Sequence, residues 1–303
     1  MSQNTINRDN AKLGFIGLGL MGSRLAQRLH KSGWTIRAWN RSPEPARQLQ
    51  QEGIGRAESL QELVTSSDVI LSSLSNDEAV QSVYLDQGGV FSSVRPGTVV
   101  LEMSTISPGL SRLLHRVAAA RGVHLLDLAV SGSTPAVDAG TVTLLAGGDQ
   151  TTFDRCIFLY ESIAKQWFLI GDGASGIEMK LVVNLLLGVN MQAIAEAVSL
   201  GINLGIDRNV LIDVLSKTTV IAPALLGKLK KIYDEDYSSQ FPLRLMSKDM
   251  DLVVQAAHAS GAELPATNVT QEEFSSALST SEDLDMSAIA QWVLDRTAPP
   301  AIP

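Results

Sequence analysis

Hydrophobic and polar positions follow different periods in the two halves of the chain. Up to about Gly173, short apolar runs alternate with segments of helical periodicity, a pattern typical of parallel strands joined by crossover helices. It predicts strands over residues 12–17, 34–39, 68–74, 98–103, 124–128, 142–146 and 167–170. Beyond Gly173 helical periods take over, and helices are predicted over residues 177–204, 208–217, 223–232, 243–260, 270–280 and 286–295.

This change of pattern predicts two domains. Residues 12–173 are expected to form an α/β domain with a doubly wound, mostly parallel sheet. Residues 174–303 are expected to form an all-helical domain, joined to the first by a long interdomain helix. Residues 1–11 are polar and lack the apolar segment of a secretory signal, so we expect a disordered tail there.

A glycine-rich turn follows the first predicted strand. Gly17 permits a tight turn, Gly19 lets backbone approach a pyrophosphate, and Gly22 allows a helix to pack close to the strand; Leu20 and Met21 belong to the same turn. The strand, turn, helix and strand follow one another in the order that a dinucleotide site requires. A turn that binds no ligand is the alternative, which this context disfavours. The sequence therefore predicts a Rossmann-type domain.

The residues after the second strand bear on the choice of cofactor. An NAD site usually carries an acid there, whereas this chain has Asn40, Arg41 and Ser42. Asn40 removes the charge that would repel a 2′-phosphate, and Arg41 supplies donors for it. Alternatively, Ser42 caps the next helix and Arg41 is a solvated charge. The two interpretations are compatible, and the sequence favours NADP.

Ligands of a doubly wound sheet gather at the carboxyl ends of its strands. That edge includes residues 73–76, 104–106 and 129–133. Leu74 and Ser75 of the first segment are therefore predicted to contact the cofactor.

Lys180 opens a stretch, Leu181 to Ala195, that contains no charged side chain. Such a stretch is typical of a helix buried on most sides, and Asn184 projects from the same helical face as Lys180. Either the lysine extends into water, or it is held in a cleft beside an amide to move a proton.

Polar residues interrupt the apolar stretch after Lys180 too often for a membrane span. A single chain is too small to bury the whole apolar surface of such a helix, so we expect a second copy of the chain to pack against it in a homo-oligomer.

Composition excludes several classes of protein. The net charge is −8 and no basic stripe offsets it, which argues against a nucleic-acid partner. The single cysteine, Cys156, excludes an internal disulfide, fits a cytoplasmic protein and is expected in the core. The four histidines show no metal-ligand spacing, so no metal site is expected.

Four motifs in order resemble the β-hydroxyacid dehydrogenase family. This family includes 3-hydroxyisobutyrate dehydrogenases and the tartronate semialdehyde and glyoxylate/succinic semialdehyde reductases. The motifs occupy residues 14–22, 127–132, 173–184 and 241–249, and the resemblance runs from residue 12 to residue 290. It implies reversible hydride transfer between NADPH and a small carboxylate-bearing aldehyde such as glyoxylate or succinic semialdehyde.

The resemblance also assigns residues to roles. It implies that Lys180 is the general acid–base and that Asn184 helps to hold the substrate. Ser131 and Gly132 match the segment that grips the substrate carboxylate.

Two further positions follow from the same resemblance. Thr105 falls where nicotinamide or substrate is contacted, and Lys248 matches a lysine that closes over the bound cofactor. The segment formed by Asn40, Arg41 and Ser42 resembles the corresponding segment of family members that prefer NADP.

Departures from the family pattern leave alternatives open. The family often has Ala-Pro where this chain has Leu128-Ala129, Gly-Gly becomes Gly132-Ser133, and a pair of asparagines becomes Val183-Asn184. The change at Val183 leaves 3-hydroxyisobutyrate or tartronate semialdehyde dehydrogenase as alternatives. Imine reductases share the architecture but typically differ at the position of Lys180. A non-catalytic NADP-binding module is the rival of another class, and it predicts loss of the lysine or of the carboxylate segment.

Overall fold

The computed structural model describes residues 5–296. Its contacts divide the chain into two compact units, one ending at Lys180 and the other beginning at Leu181. The observed boundary therefore lies inside a helix that begins at Ser175, whereas the predicted boundary was Gly173. The reason is that the first turn of this helix packs against the sheet of the first unit, close to Gly147.

The expected disordered tail needs correction for residues 5–11. Ile6 and Ala11 are buried and belong to the hydrophobic core of the first unit. The Ile6 amide also donates a hydrogen bond to the Arg155 carbonyl oxygen, at 2.9 Å. Burial of two apolar side chains holds this segment in place. Residues 1–4, the rest of the expected tail, lie outside the described residues.

The first unit is built on one sheet of eight strands. They are β1 (Leu13–Ile16), β2 (Ile36–Trp39), β3 (Gly55–Arg56), β4 (Val69–Ser72), β5 (Val99–Glu102), β6 (His124–Ser131), β7 (Val142–Gly147) and β8 (Ala164–Gly171). Their order is β3-β2-β1-β4-β5-β6-β7-β8, and all neighbours are parallel except β6 and β7. This confirms the predicted α/β doubly wound sheet.

Three strands differ from the sequence-based expectation. Strand β8 begins at Ala164, three residues before the predicted start at Trp167. Strand β3 has only two residues and no apolar run, so the hydrophobic pattern does not predict it. Strand β6 extends to Ser131, three residues beyond the predicted end at Leu128, because its second half pairs antiparallel with β7. Ser131 therefore ends a strand, and Gly132 follows it.

Helices cover the sheet and are amphipathic or buried as the apolar spacing predicts. They are α1 (Leu20–Lys31), α2 (Pro43–Gln51), α3 (Leu60–Ser66), α4 (Asp77–Leu85), α5 (Val90–Ser93), α6 (Pro108–Ala120), α7 (Thr134–Ala139), α8 (Gln150–Arg155) and α9 (Ile157–Ile163). Cys156 is buried in this core, as expected of its packing role.

The second unit is helical, as predicted. Its helices are α10 (Ser175–Asn203, shared with the first unit), α11 (Arg208–Lys217), α12 (Leu226–Asp234), α13 (Leu243–Ser260), α14 (Pro265–Ser281) and α15 (Ile289–Arg296). Its core includes Met191 and Val198 of α10, Met246 and Met250 of α13, and Phe274 of α14.

Helix α10 is long and apolar. Within residues 5–296 it alone is long and apolar enough to cross a membrane, and less than half of its most apolar stretch is buried. One such helix is weak evidence for a membrane span, because core helices of soluble proteins have the same length and composition.

Candidate active site

The strand register brings the predicted cofactor residues to one edge of the sheet. Ile16 pairs with both Trp39 and Ser72, and Ser72 pairs with Glu102, so β1, β2, β4 and β5 end at one level. The strand order reverses between β1 and β4, and such a switch point opens a crevice at the carboxyl edge of the sheet. The turn after β1 and the segments after β2, β4 and β5 surround this point.

The glycine turn has the geometry of a phosphate cradle. Gly17 has a φ of +87°, and a side chain there would meet the carbonyl of Ser73. A Cβ atom at Gly22 would overlap the carbonyl oxygen of Gly17, so α1 starts in direct backbone contact with the turn. At Gly19, by contrast, a Cβ atom would meet nothing within 4 Å. The turn is therefore packed against the protein at Gly17 and Gly22 and open at Gly19, where a ligand can approach the backbone.

The N-terminus of α1 is available to an anion. No side chain caps it, and its first turn contains no acidic residue. The unpaired N–H groups and the helix dipole at such an end favour a phosphate group. These features fit a dinucleotide.

Asn40 has a structural role that its sequence position does not reveal. Its Oδ1 accepts a hydrogen bond from the Leu18 amide and its Nδ2 donates to the Ser42 carbonyl, both at 2.9 Å. The side chain therefore ties the glycine turn to the segment after β2. Asn40 supplies this tie without placing a negative charge beside a phosphate.

Arg41 and Ser42 are exposed. Ser42 occupies the N-cap position of α2, but its hydroxyl makes no capping hydrogen bond, so this part of the capping interpretation is not supported. Among residues 5–296, Arg41 forms no ion pair or hydrogen bond within the chain. Both side chains therefore remain available to a ligand.

The segments after β4 and β5 are tied together by Ser104. Its Oγ accepts a hydrogen bond from the Leu74 amide at 2.8 Å, and its own amide donates to Glu102 Oε1 at 3.0 Å. Ser75 is exposed and Thr105 half-buried beside this contact. The Ser104 hydroxyl thus joins the two predicted cofactor segments, and a buried carboxyl group accepts a hydrogen bond from the Ser104 amide.

Glu102 is that carboxyl group, and the hydrophobic pattern does not mark it as special. It is 1% exposed, and burial raises the pKa of Glu102 to about 8. Its Oε1 also lies 3.4 Å from Ser72 Oγ, which is 2.6 Å from the Tyr84 hydroxyl, while burial raises the pKa of Tyr84. Glu102 Oε2 has no hydrogen-bond partner among residues 5–296, so it can carry the proton.

We expect Glu102 to make the stability of the fold depend on pH. Between its ordinary pKa of 4.5 and about 8, the folded chain keeps a proton that the unfolded chain releases, so stability falls as pH rises through this window. The glutamine of Glu102→Gln cannot ionise. In this variant the fall in the free energy of unfolding between these pH values should be smaller than in wild type by about 2–5 kcal/mol. Urea unfolding between pH 5 and 9 measures it, with exposed Glu78→Gln as the control. Equal slopes for Glu102→Gln and wild type would contradict the assignment.

The substrate segment begins where β6 ends. Ser131 is half-buried, and Gly132 has a φ of +153° with a potential Cβ atom 2.8 Å from Val142 Cγ1. A side chain at Gly132 is therefore excluded by backbone conformation and by space.

Lys180 is buried in α10, with only 9% of its surface exposed. The interpretation of a lysine extending into water is therefore not supported. Asn184 follows four residues later in the same helix and is fully buried. The two side chains project from one helical face.

A buried acid orients Asn184. Its Nδ2 donates to Asp249 Oδ2 at 2.6 Å, and Asp249 Oδ1 lies 2.8 Å from Lys248 Nζ. Because a carboxylate only accepts hydrogen bonds, the amide must turn its nitrogen toward Asp249. Asn184 Oδ1 has no partner among residues 5–296 and is left as an acceptor. Asp249 belongs to the fourth motif, but no local pattern indicates its contact with Asn184.

In the part of the chain that the structure describes, no three His, Cys, Asp or Glu side chains are grouped to hold a metal ion.

Family comparisons cover nearly the whole chain. Residues 12–171 match the model described as the NAD binding domain of 6-phosphogluconate dehydrogenase. Residues 174–293 match the model described as NAD-binding of NADP-dependent 3-hydroxyisobutyrate dehydrogenase.

Individual relatives agree with these matches. Glyoxylate/succinic semialdehyde reductase 1 of Arabidopsis thaliana is 30% identical, over 93% of this chain and 98% of that protein. The NAD-dependent L-serine dehydrogenase of Pseudomonas aeruginosa is 34% identical, over 84% of this chain and 88% of that protein. The 3-hydroxyisobutyrate dehydrogenase of Mycobacterium tuberculosis, solved with L-serine, has a TM-score of 0.84 at 29% identity, over 93% of this chain and 99% of that one.

The motifs, the sheet with its glycine turn and these matches agree. The chain belongs to the β-hydroxyacid dehydrogenase family and is an NAD(P)-dependent oxidoreductase of the 3-hydroxyisobutyrate dehydrogenase type.

Proposed function

We propose that the protein is an NADPH-dependent reductase that interconverts a small carboxylate-bearing aldehyde, such as glyoxylate or succinic semialdehyde, with its hydroxyacid. The observation that carries this proposal is the buried Lys180, followed one helical turn later by a buried amide. The cofactor supplies the hydride, and the chain supplies binding, orientation and a proton.

Lys180 acts as the general acid–base. During reduction, negative charge develops on the carbonyl oxygen, and the Lys180 ammonium stabilises that charge and donates a proton. During oxidation, the neutral amine takes the proton back. The low exposure of Lys180 supports this role, because interactions with a developing charge are stronger where water is excluded.

Asn184 orients the hydroxyl group. Since Asp249 fixes the amide nitrogen, Asn184 Oδ1 offers a hydrogen-bond acceptor to whatever group lies beside it. The hydroxyl of a hydroxyacid is a matching donor. Ser131, with neighbouring backbone N–H groups, holds the carboxylate, and Gly132 allows close approach of the backbone. Thr105 contacts the nicotinamide or the substrate.

The preference for NADP rests on the segment after β2. Arg41 is exposed and has no partner among residues 5–296, Ser42 makes no capping hydrogen bond, and Asn40 carries no charge. The glycine turn with Leu20 and Met21 holds the pyrophosphate, and Leu74, Ser75 and Lys248 complete the cofactor contacts.

A panel of aldehydes tests the proposed activity. Glyoxylate, succinic semialdehyde, methylmalonate semialdehyde and tartronate semialdehyde are each assayed with NADPH and with NADH. Reduction of glyoxylate or succinic semialdehyde with the highest kcat/KM supports the proposal. Preference for one of the other two aldehydes assigns the protein to the alternative dehydrogenases, and reduction of cyclic imines alone would contradict carbonyl chemistry.

We propose a homodimer or larger homo-oligomer in the cytoplasm, without a membrane or nucleic-acid partner. Val182, Leu186 and Leu200 of α10 are 54%, 58% and 62% exposed and recur at helical spacing on one face. An exposed apolar face of this kind is typical of a subunit interface.

Sedimentation tests the oligomer. At micromolar concentration the protein should sediment with at least twice the mass of one chain. Leu186→Glu places a charge on the exposed face of α10 and should shift the equilibrium toward monomer. A wild-type protein that sediments as a monomer would contradict the proposal.

A further inference from the structure

Asp127 is a buried acid that the proposed chemistry does not use. It lies on β6, in register with Glu102 of β5 on one side and Gly147 of β7 on the other, and it is 1% exposed. A buried carboxylate destabilises a fold unless its oxygens are hydrogen-bonded. Both oxygens of Asp127 have partners, and these partners come from two different helices.

One partner is the first turn of α10. Asp127 Oδ2 accepts a hydrogen bond from the Ile177 amide at 2.7 Å. The first amides of a helix have no acceptor within the helix, and a carboxylate placed there is favoured by those amides and by the helix dipole. Asp127 therefore caps α10 from a neighbouring strand, and Lys180 lies three residues beyond the capped amide.

The other partner is His115 of α6. Its Nε2 lies 2.9 Å from Asp127 Oδ1, and its side chain is 17% exposed. Burial raises the pKa of Asp127, and the hydrogen bonds from His115 and Ile177 act in the opposite direction. His115 thus fixes the carboxyl group that caps α10.

Glycine packing leaves the start of α10 little freedom to move. A Cβ atom at Gly176 would lie 2.6 Å from the Leu145 carbonyl oxygen and 2.7 Å from the Gly147 amide nitrogen. A Cβ atom at Gly147 would lie 2.5 Å from Asp127 Oδ1. The helix backbone therefore rests directly on β7, beside the carboxylate that caps it.

A second link between α6 and α10 provides a comparison. Arg112 Nη1 lies 2.5 Å from Glu178 Oε1, but both side chains are 52% exposed. An exposed ion pair contributes little to stability and is screened by salt. Asp127 is buried and bridges α6 and α10 through His115 and the Ile177 amide, whereas Arg112 and Glu178 join the same two helices directly and are exposed.

We propose that Asp127, held by His115, is a positioning residue for Lys180. Its carboxylate fixes the first turn of α10 and so places the lysine for proton transfer. The inference rests on the proposed role of Lys180 as general acid–base.

Three variants test it through kcat, KM for NADPH and hydrogen exchange of the amides at residues 177–180. Asp127→Ala should lower kcat about 10²-fold, the loss expected from a displacement of about 1 Å, while KM for NADPH stays within about threefold. Its Ile177 amide should exchange faster. Asp127→Asn should keep most of kcat, because its Oδ1 can still accept from Ile177. The matched control Arg112→Ala should leave kcat and amide exchange near wild-type values.

A double-mutant cycle with Lys180→Met separates the two proposals. If Asp127 acts through Lys180, Asp127→Ala should cause no further loss in the Lys180→Met background. Near-normal kcat in Asp127→Ala with an inactive Lys180→Met would overturn the positioning role alone. An active Lys180→Met would overturn the proposed function.

Loss of folding is distinguished by milder variants. If Asp127→Ala does not fold, His115→Ala provides the test instead. It removes the partner of only one carboxylate oxygen, and it should lower kcat without changing KM for NADPH. Equal loss of kcat and NADPH binding in His115→Ala and Asp127→Asn would show that Asp127 only supports the fold, which would overturn the proposal.

Discussion

Lys180→Met should reduce turnover of the aldehyde by at least about 10²–10⁴-fold, because it removes both proton transfer and stabilisation of the developing oxyanion. Methionine retains most of the apolar stem of lysine and limits the packing change at a position that is 9% exposed. NADPH binding should remain near its wild-type value, since the glycine turn and Arg41 are predicted to hold the cofactor. Single-turnover rates and NADPH fluorescence titration measure the two effects separately.

Asn184→Ala supplies the graded comparison. It should raise KM and lower kcat while leaving measurable activity, because Asn184 orients the hydroxyl without transferring a proton. If Lys180→Met reduced aldehydes at close to the wild-type rate, the lysine would not be the proton donor. Loss of NADPH binding in Lys180→Met would instead assign it a role in holding the cofactor.

Much of the fold could be predicted because its elements have strong local signals. Strands β1, β4 and β5 are buried along their whole length and consist almost entirely of apolar residues. Helices α11 and α13 were predicted to the residue, since their periods end at clear breaks. Local sequence patterns do not predict the structure where a tertiary contact determines it. Residues 5–11 are held by burial of Ile6 and Ala11, and β6 extends to Ser131 because it pairs with β7.

The same distinction applies to the candidate site. The glycine turn and Lys180 belong to local motifs and could be found from the sequence. The contacts that were not predicted span long sequence separations: 22 residues from Asn40 to Leu18, 50 from Asp127 to Ile177 and 65 from Asn184 to Asp249. No periodicity predicts such pairs, because folding alone brings the partners together. Glu102 was missed for a related reason, since Ser72, which contacts it, and Tyr84, which bonds Ser72, lie on other elements.

Arg41→Ala should weaken the use of NADPH about 10- to 100-fold in kcat/KM and change the use of NADH little. The two cofactors differ only in the 2′-phosphate, so the ratio isolates the contact with that group. A charge-assisted hydrogen bond to phosphate contributes about 1.5–3 kcal/mol, which corresponds to this range. Arg41 is exposed and has no hydrogen-bond or ion-pair partner among residues 5–296, so its removal breaks no such interaction within the folded chain.

Arg47→Ala is the matched control for this cofactor test. Arg47 is an exposed arginine in the neighbouring helix α2, and its removal changes the net charge by the same amount. It should leave the NADPH-to-NADH ratio near its wild-type value, because a general loss of positive charge acts on both cofactors through their shared pyrophosphate. Equal losses for NADPH and NADH in Arg41→Ala would show that Arg41 does not recognise the 2′-phosphate. A fall in the ratio for Arg41→Ala alone would locate cofactor selection in the segment after β2.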